Sequence, residues 1–325
     1  MIKISDKNSK EFVNSLLTED IKTLATIPKT DYHNHSIYGG NRQYIFRKTG
    51  IYIPPLKNKL CSIYDLENYI NRFTQSMHIS DKDFYTTMIE STIFQACLDG
   101  VKRLLISVDA WCLYTFFNNT EEFLKSLYEI PLLLGIEIDI LLQVGISRYA
   151  SGNDIQRWLE HLWGCPAVTA LDLYGPEEQG DIKVIEKIYR KSQEYNWVRV
   201  AHIGEWGSPK QVLDLVDRLE LQQINHGICI VHSAEAMKRI SENNITLHIC
   251  PTSNVMLKRV KDFSCHPIAV FYRNGISVTI NTDDFLVFGS SITNEYLTLF
   301  KSKVLTAEEL DDIRVKSLNM RFSGN

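Results

Sequence analysis

None of the seven cysteines pairs as Cys-x-x-Cys, and their number is odd, so neither a zinc knuckle nor a disulfide framework is written into the chain. Cys61, Cys97, Cys112, Cys165, Cys229, Cys250 and Cys265 read instead as small apolar residues of a reduced protein. Long apolar runs are missing too. None nears the roughly 18 residues of a membrane span, and the opening MIKISDKNSKEF carries charge where a secretory leader is apolar. A cytoplasmic setting with no membrane partner is the expectation. Charge of one sign is scarce: the formal net charge is -4 over 325 residues, which gives no footprint for nucleic acid. Low-complexity tracts, charge blocks and internal repeats are absent as well. What is present, 44% apolar and 23% charged residues, suffices for one large barrel or two ordinary domains.

Eight short apolar runs recur along the chain, each followed by a polar signal and then a helical pattern. They span 29–35, 102–109, 136–146, 167–174, 197–203, 222–227, 245–250 and 276–282. Several carry Val, Ile and Leu almost without interruption, as strands buried on both faces do. Between them, Ser208-Pro209 opens a helix as cap and first-turn residue, and Thr306 with Glu309 forms a capping box. Eightfold strand–helix alternation predicts an α/β chain folded as a (β/α)₈ TIM barrel, a single domain over residues 1–325. Such a barrel needs about 250 residues. Much of the excess falls in residues 36–100, a segment with Pro54-Pro55 and at least two helical stretches, expected to form a lid after the first strand.

The chemistry-bearing residues cluster at the ends of these runs. His33 and His35 in TDYHNH alternate on one strand face. His202 ends the fifth run, with Glu205 in the loop beyond it; His226-Gly227 ends the sixth; Asp283-Asp284 follows the eighth. In a barrel, that C-terminal rim is where residues distant in sequence converge. Three imidazoles and a carboxylate with one open position suit one Zn²⁺ per chain, the same donors leaving Fe²⁺ and Mn²⁺ open. A free Glu and a fourth His suit proton transfer beside it. Two-metal versions of such a barrel use a bridging Lys on the fourth strand, and AVTALDLY has none. As neighbours on an ideal strand, Asp283 and Asp284 are expected to point opposite ways and serve separate tasks.

The order of PKTDYHNH, LDLYGPE, AHIGE, NHG, CPTSN and INTDD, from Pro28 to Asp284, resembles the adenosine deaminase family of metal-dependent amidohydrolases. The resemblance implies a zinc held by His33, His35, His202 and Asp283. It implies that Asp283 and His226 orient and deprotonate a water. It implies that Glu205 protonates a ring nitrogen, while Asp284 and the backbone of Gly175 contact the ring, with His35 also facing substrate. The implied reaction converts adenosine to inosine and ammonia. A small-molecule purine is the only implied partner.

Three departures bear on substrate. Ile37 stands where the family carries a polar residue that touches the sugar, His248 replaces a Glu ahead of CPTSN, and Phe285 replaces a Pro. His248 reads either as a partner behind a metal ligand or as an altered core position. Gly39, Gly40, Asn41 and Arg42 read either as a phosphate cradle or as a flexible lid entrance. The alternatives to adenosine are an adenine nucleotide, an N6-substituted adenine compound or a modified nucleoside. A catalytically silent purine-binding homologue is a further one.

Overall fold

The computed structural model describes residues 6–76, 82–117 and 119–322. Residues 1–5 of the opening segment and residues 77–81 of the expected lid lie outside the described residues. Eight strands form one sheet in sequence order: β1 (Lys29–His35), β2 (Val101–Asp109), β3 (Asp139–Ser147), β4 (Val168–Tyr174), β5 (Val198–Ile203), β6 (Gln223–His226), β7 (Thr246–Ile249) and β8 (Val278–Ile280). Each pairs in parallel with the next. An isolated parallel bridge between Asn34 and Asp283 ties the end of the eighth strand back to the first. This is the (β/α)₈ barrel.

The strands exist because their side chains are buried on both faces. Leu104, Leu105, Ile106 and Val108 of β2 are fully buried, as are Leu142, Val144 and Ile146 of β3. Helices between strands start where the sequence supplies caps. Ser208 and Gln211 form a capping box ahead of Pro209–Leu219, and Thr306 and Glu309 do so ahead of Ala307–Asn319. Among the described residues of 36–100 lie three helices, Arg42–Thr49, Ile63–Ser76 and Lys82–Leu98. Among the described residues, no helix is long and apolar enough to cross a membrane.

Six of the strands, β3 to β8, are shorter than their apolar runs, β3 and β8 for identifiable local reasons. β3 begins at Asp139, because the preceding helix runs to Leu134 and Gly135 turns left-handed (φ 65°), so Ile136–Ile138 form the connection. β8 stops at Ile280, because the side chain of Asn281 takes over the pairing: its Oδ1 accepts from Tyr32 N at 2.8 Å and its Nδ2 donates to Ile249 O at 3.2 Å.

Candidate active site

At the C-terminal ends of the strands, four donor atoms converge. His33 Nε2 lies 3.0 Å from His202 Nε2 and 3.4 Å from Asp283 Oδ1, and His35 Nε2 lies 3.2 Å from the same oxygen. The ligand atoms of His33, His35 and His202 all fall within 4.8 Å of one another. Zinc–nitrogen bonds of 2.0–2.1 Å in a tetrahedron put neighbouring donors about 3.3 Å apart. These four residues therefore fit one divalent cation, and the separations match the edges of its coordination shell.

Surrounding residues aim each donor. His202 Nδ1 donates to Asp172, 3.0 Å from Oδ2 and 3.2 Å from Oδ1, which leaves Nε2 as a bare lone pair facing the centre. Asp283 is delivered by its backbone: it is left-handed (φ 58°), and its N–H donates to His33 O at 2.9 Å. Asp31 grips the preceding residue through Thr282 Oγ1 at 2.5 Å, and Asn34 bridges Asp31 and Thr282. Asp283 and Asp284 do not point opposite ways, as strand alternation predicted. The strand has already ended, the left-handed turn redirects the chain, and both acids line the same cavity with His35.

The electrostatics describe a site built for positive charge. Burial works against a charge on His35, yet Asp284, Asp283 and Asp172 outweigh it and raise its pKa to about 10. Asp283 is buried, but His33 and His35 hold its carboxyl well below the usual range. Asp284 is pushed up to about 7 by burial and by Asp283. Glu205 is raised well above the usual carboxylate range by burial, then by Asp283 and Glu177.

Glu205 sits on a loop held from below. Glu177 accepts the backbone N–H groups of Gly204, Glu205 and Trp206 at 2.8, 2.9 and 2.7 Å. Trp206 Nε1 donates to Glu205 Oε2 at 2.7 Å, leaving Oε1 buried without a partner. His226, left-handed at φ 70°, lies between the two acids: its Nδ1 is 3.7 Å from Glu205 Oε1 and its Nε2 is 3.9 Å from Asp283 Oδ2. His35, His202, Glu205, His226, Asp283 and Asp284 open on a cavity of about 360 Å³. Its other walls come from Tyr38, Asp109, Tyr149, Tyr174, Gly175 and Leu257, and from Ile63, Leu66, Glu67, Ile70 and Asn71 of the inserted helix. Gly175 is left-handed (φ 102°), a conformation that suits only glycine.

The flagged departures fall elsewhere. Ile37 is buried in the core and does not line the cavity. His248 hydrogen-bonds Thr279 Oγ1 at 2.7 Å and Gln223 Oε1 at 2.9 Å, a satisfied interior position with no bond to a donor residue. Gly39 and Gly40 are small because Asn34 and Ser91 press on them, Asn41 caps its helix, and Arg42 donates to the carbonyls of Leu286 and Val287.

Sequence reasoning overlooked Asp172, Glu177, Trp206 and Asp109. Asp172 carried a signal, a lone acid within the apolar run AVTALDLY; Glu177 ends the motif LDLYGPE and Trp206 follows AHIGE, but both act through contacts that no spacing reveals.

The model of the family described as adenosine deaminase matches residues 139–325. A putative adenosine/adenine deaminase of Treponema pallidum is 25% identical over 86% of this chain and 93% of its own. An adenosine deaminase of Clostridium botulinum is 35% identical over 48% of this chain, and the chain spans about half, 47%, of that relative's length. Among solved structures, a zinc-bound amidohydrolase from Burkhoderia ambifaria covers 99% of this chain and 89% of its own, with 17% identity and a TM-score of 0.75. The N6-methyl-AMP deaminase of Arabidopsis thaliana covers 93% and 94%, with 18% identity and a TM-score of 0.73. At such identities the two structures speak to fold. The family match, which takes in more than half of the sequence and every motif from LDLYGPE to INTDD, carries the assignment: the chain belongs to the adenosine deaminase family.

Proposed function

We propose that this chain is a zinc-dependent aminohydrolase that deaminates an unphosphorylated adenine-type purine, most simply adenosine, to the 6-oxo product and ammonia. One observation carries the reading: three of the four cation donors, His35, His202 and Asp283, line a cavity with two acids whose buried oxygens, Glu205 Oε1 and Asp284 Oδ1, have no hydrogen-bond partner among the described residues. Buried polar atoms without partners are rare and call for a ligand.

His33, His35, His202 and Asp283 would hold the metal. When bound, such an ion acts as a Lewis acid that makes water nucleophilic near neutral pH. Asp283 divides its work, with Oδ1 toward the imidazoles and Oδ2 toward His226. Oδ2 is the atom that accepts the proton of the attacking water. Glu205, kept protonated by burial, donates to the ring nitrogen beside the amino-bearing carbon. That carbon becomes electrophilic and the water oxygen bonds to it; the proton taken up by Asp283 passes to the amino group, the carbon–nitrogen bond breaks and ammonia leaves, while the ring nitrogen keeps the proton from Glu205 and the remaining proton of the added water restores Glu205. Asp284, raised to about 7, can carry a proton for a second ring nitrogen. The Gly175 backbone supplies a further ring contact. The helix Ile63–Ser76 walls the cavity and is read as the lid of a single-domain enzyme.

A nucleotide substrate is the competing reading, since one structural neighbour is an N6-methyl-AMP deaminase. The cavity disfavours it: among the described lining residues there is no Lys or Arg, while Glu67 and Asp109 join the three acids of the reaction. A phosphate dianion there would meet like charge. Ammonia release by the zinc-loaded protein should be measured with adenosine, adenine, AMP and N6-methyl-AMP. Turnover of adenosine or adenine well above the two nucleotides is expected. Preference for a nucleotide would overturn the substrate reading, and no turnover of any purine would overturn the reaction.

A further inference from the structure

His226 must present one particular nitrogen to the reaction, and three hydrogen-bonding groups behind it decide which. The chain starts at a backbone amide, which can only donate. Ile268 N–H donates to His266 Nδ1 at 3.2 Å. Every imidazole carries at least one N–H, so the proton of His266 is on Nε2. That atom lies 3.2 Å from Asn254 Oδ1 and donates to it. The orientation of the Asn254 amide follows, and its Nδ2 donates to His226 Nδ1, again at 3.2 Å. Turning the amide over would set an NH₂ against the Nε2–H of His266. His226 Nδ1 therefore accepts, and the ring proton sits on Nε2, on the side of Asp283. Glu205 Oε1, 3.7 Å from Nδ1, lies beyond hydrogen-bond range and does not compete. His226, Asn254 and His266 are all buried, so water does not scramble the order.

From this we infer that Asn254 and His266 are positioning residues that fix His226 as an Nε2–H hydrogen-bond donor. The consequence rests on the proposed hydrolytic reaction. An Nε2 that already bears a proton cannot take one from water. His226 then holds the attacking oxygen by donation, and the proton goes to Asp283 Oδ2. Of the two residues expected to share deprotonation, one orients and the other accepts.

The direct test is the tautomer of His226 in zinc-loaded, 15N-labelled protein, read from long-range 1H–15N correlations and assigned by comparison with His226→Gln. The expected spectrum has a protonated Nε2 and a bare Nδ1; a proton on Nδ1 in the wild type overturns the inference whatever any variant does. Asn254→Asp replaces the donating amide with an acceptor. It should move the proton to Nδ1 and lower kcat by about 10- to 100-fold, the usual cost of losing a supporting contact, with KM and zinc content little changed. An unchanged tautomer and kcat in that variant would also overturn it. His266→Gln, which keeps a donor toward Asn254, should retain the wild-type tautomer, and loss of that tautomer there would count against the relay. The spectrum needs no turnover, so failure of the relay is distinguishable from failure of the reaction, which would show as no ammonia from any purine in the wild type.

Discussion

The Nε2 atoms of His33 and His202 face each other at 3.0 Å, although 169 positions separate them in sequence. His202 gives its Nδ1 proton to Asp172, so its Nε2 presents a lone pair. A second nitrogen at that distance is repelled unless a cation or a proton lies between the two. Asp283 Oδ1, 3.4 Å from His33 Nε2, adds a negative charge to the same point. The arrangement is stable only around a cation or a shared proton, and the predictions below follow from the first.

Removing the carboxylate should weaken the ion's hold. Asp283→Ala is expected to lower zinc per chain, measured by elemental analysis after dialysis, while the barrel remains folded by circular dichroism. Full zinc occupancy in the variant would contradict the ligand role.

Glu205→Gln should separate metal binding from chemistry. The amide keeps the shape and the contact to Trp206 but has no acidic proton. Turnover should fall by about 10²- to 10⁴-fold at unchanged zinc content. Near-normal turnover would remove Glu205 as the acid.

Opposite pH trends are expected for the two halves of the site. Glu205 acts in its protonated form, and its pKa is raised, so kcat/KM should fall as pH rises through that pKa. The alkaline limb should vanish in Glu205→Gln. His35, held up at about 10, must lose its proton to ligate, so metal affinity should weaken as pH falls. Calorimetric titration with zinc should register proton release on binding; zero release would contradict the ligand role of His35.

Much of the architecture could be read before any coordinates. Eight Val/Ile/Leu runs are visible because strands buried on both faces need them, and their ends carry the His and Asp residues because barrel chemistry sits at that rim. Less visible were the supports. Asp172 meets His202 across 30 positions, and Asn254 meets His226 across 28, so neither partnership leaves a local pattern. The Asp283-Asp284 pair was misjudged for a backbone reason: strand alternation holds only while the strand lasts, and β8 ends three residues earlier. The inserted segment showed helical stretches, while the placement of Glu67 and Asn71 on the cavity wall depends on how that helix docks.

Gly39 offers a test of the reading that the glycine pair is structural. A Cβ there would collide with the Asn34 carboxamide, which bridges Asp31 and Thr282 next to Asp283. Gly39→Ala should destabilise by about 1–3 kcal/mol, as overpacking does, and lower zinc occupancy with it. Thermal unfolding and elemental analysis check both. A variant with unchanged stability but altered discrimination between AMP and adenosine would revive the phosphate cradle.

Anomalous scattering from crystals of the zinc-loaded protein, recorded on both sides of the zinc absorption edge, probes the proposed metal centre most directly. The expected result is one strong peak about 2.0–2.2 Å from His33 Nε2, His35 Nε2, His202 Nε2 and Asp283 Oδ1. Stoichiometric zinc located elsewhere, or no peak among these four atoms, would contradict it.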